Sequence, residues 1–202
     1  MTAAEFVEDY WEYYLTLESN FINTFRYVAL DKKNKKCYSV EFFGLIQSIC
    51  SEIDSVMKVL CGLPGNSDSH QANIFKYKQI LESKNIFLHK DKINIERSNY
   101  IKLVPFKEWK NSAHLNWWKT YTTLKHNRLG NIEDANQYNV FFSLSALYLL
   151  EVYLIKTINE NNHIIKESQL FNCKAGEGCF NGEIYLSTVT DEELEEVIKN
   201  SD

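Results

Sequence analysis

Chain breakers are scarce in this 202-residue sequence, which holds only 7 Gly and 2 Pro. That scarcity argues against linkers and disordered tracts and leaves long helices uninterrupted. An excess of one charge is also lacking, since the formal net charge is only −5. A general nucleic-acid coat protein would be basic. A small basic pocket that touches RNA is still compatible with this balance, because local potential governs such a site more than the total.

Several chemical signatures are missing as well. No G-x-S-x-G elbow, Walker loop, dinucleotide fingerprint or H-E-x-x-H helix occurs. His70, His89, His114 and His163 have no partner at ligand or triad spacing. Of the five cysteines, Cys37, Cys50 and Cys61 lie in or beside apolar helical sequence, where a free thiol behaves as a small hydrophobe. Cys173 and Cys179 could be bridged, or could hold a metal with His163, but their spacing is not a zinc pattern and no second pair exists. No metal and no cofactor is therefore expected. The N-terminus carries early acids instead of a basic and then apolar leader. The longest apolar run, residues 140–155, falls short of the roughly 20 residues a bilayer needs and is interrupted by Glu151. A cytoplasmic protein with no membrane partner is the expectation.

What is present is apolar periodicity. Phe6, Tyr10, Tyr13, Leu17, Phe21, Thr24 and Val28 recur at spacings of four and three, with Glu5, Glu8, Glu12 and Glu18 mostly off that stripe. Phe42, Ile46, Ile49, Ile53, Val56 and Leu60 repeat the pattern behind a possible Ser39 cap, and Gly62 and Pro64 end it. The polar loop DKKNKK (31–36) separates these two helices. Caps within NSDSH (66–70) open a third helix to about Lys84. Residues 86–109 read as extended chain or short strands. Asn111 or Ser112 caps a fourth helix closed by Gly130, and Asn131 with Glu133 and Asp134 opens a fifth, apolar on nearly every face and so central. Segments 168–172 and 183–188 suggest a hairpin, and TDEELEEVIKN a last short helix. The expected fold is all-α: a helical bundle of four to five main helices over residues 1–160, with a small C-terminal β-hairpin and short helix over 161–202.

The stretch WWKTYTTLKHNRLGN (117–131) carries the densest chemistry. His126 is suited to proton transfer near neutral pH, and Arg128 to holding a phosphate. Cleaving an RNA backbone asks for both. The same cations also suit the last turn of a helix before a glycine, with no enzyme implied. On a helix, two residues turn through about 200°, so His126 and Arg128 converge only if the helix ends there or a second copy completes the site. Glu52 borders an apolar stripe and is a candidate to orient either of them, whereas Asp54 and Lys58 are spaced for a surface ion pair. Trp117, Trp118 and Tyr121 read first as core, and otherwise as an aromatic small-molecule pocket.

The run W-W-x-x-Y-x-x-x-K-H-N-R, followed by a short turn and a helix containing SLSALYLLEVYL, resembles the HEPN-like helical proteins of prokaryotic defence and toxin systems. It is most similar to abortive-infection-type members with a K-H-x-R signature. The likeness spans residues 1–158 in architecture, and its motif about a dozen residues. It implies a helical bundle, a homodimer with the motif at its cleft, and metal-independent endoribonuclease activity, with an antitoxin or defence-system partner. Under it His126 is the general acid/base, Arg128 and Lys125 hold the scissile phosphate of an RNA substrate, and Asn127 positions the loop. The family pattern places an arginine before the histidine. Here His126 precedes Arg128, and the earlier position is Tyr121. The alternative is a catalytically degenerate helical dimer that binds a protein or a nucleotide.

Overall fold

A computed structural model of the chain describes residues 1–63, 73–95, 102–158 and 167–172. Their helices are α1 (Ala3–Phe6), α2 (Glu12–Asn23), α3 (Val40–Cys61), α4 (Ile74–Ser83), α5 (Asn116–His126) and α6 (Gln137–Ile158). The chain is an all-α bundle with a small antiparallel sheet at its side. Helices α3 and α6 form its centre, and α2, α4 and α5 pack around α3. Ser39 caps α3 as its sequence suggests, its Oγ accepting the Phe42 N–H at 3.0 Å. Gly62 ends α3 at φ 73°, a left-handed conformation that favours glycine.

The N-terminal buried face is broader than its periodicity suggests. A π-helical turn, Val7–Trp11, joins α1 to α2. A wide turn of this kind inserts one residue and turns the side chains that follow, broadening the buried face beyond the expected stripe, whose Leu17, Phe21 and Thr24 stay buried. Tyr13 is therefore 41% exposed, while Trp11 and Tyr14 enter the core and stack at 4.9 Å between ring centroids. The same turn carries Glu18 inward until it is 1% exposed.

Glu18 then anchors the C-terminal segment. Its carboxylate accepts hydrogen bonds from the Tyr14 hydroxyl (2.9 Å), from the Ser168 hydroxyl, and from the N–H groups of Gln169 (2.9 Å) and Leu170 (3.1 Å). Phe171, two residues beyond that clamp's serine partner's neighbour Gln169, lies against Phe141 and Tyr148. Strand β1 (Ile93–Ile95) pairs antiparallel with β2 (Lys102–Leu103) on one side and with β3 (Phe171–Asn172) on the other. The strand expected at 168–172 thus joins β1. Its expected partner at 183–188, the last helix, Cys173, Cys179 and His163 lie outside the described residues.

Helix starts also differ from the expected ones. Helix α4 is capped by Asn73, whose Oδ1 accepts from the N–H groups of Phe75 and Lys76, both at 3.1 Å; the segment 66–70 lies outside the described residues. Helix α5 begins at Asn116 and not near Asn111, because residues 107–110 form a separate 3₁₀ turn that buries Trp109. Ser112 instead accepts the His114 N–H at 2.9 Å, turning the chain just before α5. Before α6, residues 132–134 form another 3₁₀ turn.

Helix α6 is apolar on nearly every face. By length and composition its 22 residues are enough to cross a membrane, yet 72% of the relevant window is buried inside the protein. It is the core helix of the bundle. Glu151 within it is fully buried, and neither carboxylate oxygen has a hydrogen-bond donor among the described residues. Burial, and then the charge of Glu52, push its carboxyl well above the usual range. Asp91 is 2% exposed, and burial pushes it up to about 7 despite a 2.6 Å hydrogen bond from the Tyr153 hydroxyl.

These raised values set a pH dependence. A carboxyl whose folded pKa exceeds its unfolded value favours the folded state while protonated, and that advantage is lost as pH rises through the folded value. For Asp91 the window runs from about 4 to about 7. Asp91→Asn, which keeps an acceptor for Tyr153, should cancel a loss of roughly 2 kcal/mol between pH 5 and pH 8. Urea unfolding at both pH values checks this: the wild type should weaken more than the variant as pH rises.

Candidate functional site

Helix α5 lays one face along a groove. Leu115, Trp118, Lys119, Thr122, Lys125 and His126 follow helical spacing along it, and Tyr121 joins them from its flank. Asp54 and Lys58 of α3 and the first turn of α4 with its cap, Asn73 to Phe75, supply the facing walls, and His114 lies at the end where α5 begins. The groove holds about 640 Å³, within the range of sites that take small ligands or a few ligand groups.

Its charge is positive overall. Asp54 is committed within the wall: Oδ1 accepts from the Tyr77 hydroxyl at 2.7 Å, and Oδ2 pairs with Lys58 Nζ at 2.6 Å. That is the ion pair the spacing predicts. Lys119 and Lys125 are exposed and form no ion pair among the described residues. Lys125 Nζ lies 5.7 Å from the centre of the Tyr121 ring. Among the described residues the one carboxylate on the facing wall, Asp54, is already paired with Lys58, so the two cations favour an anionic ligand.

The aromatic residues divide. Trp117 is 2% exposed, donates its indole N–H to the Pro105 carbonyl at 2.9 Å and packs edge-on to Phe106, so it belongs to the core. Trp118 and Tyr121 are half-buried, lie 5.2 Å apart and line the groove. Phe75, 44% exposed, meets His114 edge-on at 5.0 Å.

Helix α5 stops at His126, earlier than the expected closure at Gly130 and at the point the convergence of His126 and Arg128 would need. Asn127 leaves the helix at φ −146°, ψ 73°. Its Oδ1 accepts the Gly130 N–H at 3.2 Å, and its carbonyl accepts from the Asn131 side chain at 2.8 Å. A Cβ on Gly130 would fall 2.8 Å from the Asn127 amide nitrogen, so glycine is what lets that amide close over the turn. The closing residue is therefore Asn127, with Gly130 as its partner.

The five residues singled out in the sequence are not gathered in one place. Lys125 and His126 line the groove. Arg128 does not: its guanidinium stands 5.4 Å over the ring of Phe43, in the first turns of α3 and about 16 Å along that helix from Asp54. Glu52 is not a groove residue either. It is half-buried, its carboxyl is raised by burial, and its charge acts on Tyr10 and Glu151. The expected convergence of Arg128 and Glu52 on His126 is thereby corrected within this chain.

Sequence reasoning passed over His114 and Phe75, and no local signal marks them, since each reaches the groove from a different element. Lys119 was not among the candidate residues either, although it shares a helical face with Thr122 and His126. No group of three or more His, Cys, Asp or Glu able to hold a metal occurs among the described residues. No protein-family model, curated protein sequence or solved structure matches this chain. The groove's own chemistry is what remains to define a function.

Proposed function

We propose that this chain binds RNA in the α5 groove and cleaves it without a metal, with His126 as general acid/base. The observation that carries the reading is the alignment of Lys119, Lys125 and His126 on one open face, facing no unpaired carboxylate among the described residues. His126 would take the proton of a ribose 2′-hydroxyl. The freed oxygen bonds to the adjacent phosphorus, the bond from phosphorus to the 5′-oxygen breaks, and the leaving oxygen takes a proton from water, while His126 returns its own to solvent. The product is a 2′,3′-cyclic phosphate and a 5′-hydroxyl. Lys125 would hold the non-bridging oxygens as charge builds on them. His114 precedes α5 and His126 ends it, so the helix, about 15 Å long, sets the two residues toward opposite ends of the groove.

The resemblance to HEPN-like proteins points the same way and adds a setting: a cytoplasmic antiphage-defence or toxin protein, a homodimer, and an antitoxin or defence partner. A second reading, binding without cleavage, is favoured by the position of Arg128 over Phe43, which leaves His126 without the arginine its chemistry would use.

One experiment separates the two. An end-labelled, unstructured RNA is incubated with purified protein in excess chelator, and products and binding are followed together. Cleavage to cyclic-phosphate ends supports the enzyme. Binding with no cleavage leaves the second reading, and the absence of both binding and cleavage would sink both. Lys119→Gln and Lys125→Gln should each weaken binding at every sequence. Each should also reduce the slope of log affinity against log salt by about 0.7, the value for one phosphate of a single strand.

A further inference from the structure

We infer that the end of the groove formed by Phe75, His114 and Trp118 is a base-stacking subsite, so that the protein takes unpaired, single-stranded RNA. The inference rests on the RNA reading above and names the part of the substrate that the aromatic residues recognise. Phe75 is a large apolar side chain in the first turn of α4, yet 44% of it is exposed. Its position is held all the same. Asn73 accepts its backbone N–H at 3.1 Å, and the His114 ring stands against it at 5.0 Å with an interplanar angle of 83°. The backbone of His114 is held by the Ser112 turn. A ring with its backbone held and one edge braced, yet with much of its surface uncovered, presents a face on which another flat group can stack.

Across from it Trp118 is half-buried and braced by two rings, Trp117 at 5.9 Å and Tyr121 at 5.2 Å. The groove therefore runs from a braced aromatic end to a cationic end at Lys125 and His126. Aromatic platforms interleaved with a positive track are what single-stranded nucleic acid requires: bases stack on rings, and phosphates follow the cations. Trp118 and His126 lie about 12 Å apart along α5, so the stacked base is not the one next to the scissile phosphate but a neighbour along the strand. The interior base pairs of a duplex cannot use this end, because their faces are already stacked on one another, and a duplex offers only its two terminal faces.

The test uses a labelled RNA hexamer methylated at every 2′-oxygen, which cannot be cleaved. Its binding is compared with that of an abasic hexamer of the same charge and of a blunt duplex. The wild type should bind the hexamer at least tenfold more tightly than the abasic strand, and more tightly than the duplex at equal charge. Phe75→Ala should lose ten- to a hundredfold in hexamer affinity and no longer distinguish the abasic strand, while Phe75→Tyr should restore both. Because Phe75 is exposed, its melting temperature serves as a control and should hold. Equal affinity of the wild type for hexamer and abasic strand, or unchanged binding by Phe75→Ala, overturns the subsite. If Lys125→Gln still weakens binding in that case, the RNA reading stands without the subsite. If the wild type binds none of the three RNAs, the RNA reading falls and takes the subsite with it.

Discussion

His126→Ala should reduce RNA cleavage in chelator by about 10²- to 10⁴-fold, the span a positioned proton-transfer group supplies, while RNA affinity changes little. Stability should stay within about 1 kcal/mol, because His126 is exposed and ends α5. What it gives the fold there is at most a cation at a helix C-terminus. That alternative role has its own control. His126→Lys keeps a cation beside the last carbonyls but transfers no proton near neutral pH, so it should retain the stability and lack the activity. If His126→Lys cleaves like the wild type, proton transfer by this residue is ruled out. If His126→Ala unfolds the protein, the residue is a helix cap and not a reactive group. Product ends offer a further check, since attack by the 2′-oxygen leaves a cyclic phosphate and attack by water does not.

Glu18→Ala should cost about 3–5 kcal/mol, the largest effect on stability expected of any side chain outside the apolar core. Each buried donor left without an acceptor costs about 1–3 kcal/mol. Glu18 serves the hydroxyls of Tyr14 and Ser168 and the N–H groups of Gln169 and Leu170. The loss has a location as well as a size. Residues 167–172 should come away from α2, taking β3 from its pairing with β1. Urea unfolding measures the total, and amide exchange at Leu170 and Phe171 should accelerate before exchange in α3 does. Glu18→Gln keeps one acceptor oxygen and should fall between the two. A loss below 1 kcal/mol for Glu18→Ala would mean that the segment is held by Phe171 packing alone.

How far the sequence foretells this molecule depends on whether a feature is local. Ser39, the stripe from Phe42 to Leu60 and Gly62 define α3 with no outside help, because cap, face and stop all lie within one helix. The apolar run of α6 marks the core for the same reason. Glu18 is different. Its burial follows from one extra residue in the turn at Val7–Trp11, and a fixed 3.6-residue period places it among the solvent-facing acids. The groove is harder still. His126 and Lys125 stand out by residue type, but Phe75 and His114 join them only when α4 and the chain before α5 are packed together. Arg128 is two residues from His126, and no spacing rule reveals that the chain beyond Asn127 turns it onto Phe43.

Whether RNA occupies the α5 groove is tested most directly by NMR, by titrating the 2′-O-methylated hexamer into protein labelled at its histidine and tryptophan rings. The account predicts that the His126 and His114 imidazole and Trp118 indole signals shift together and saturate, while Trp109 and Trp117, both buried, stay in place. Saturating RNA binding that leaves His126, His114 and Trp118 unmoved would contradict it.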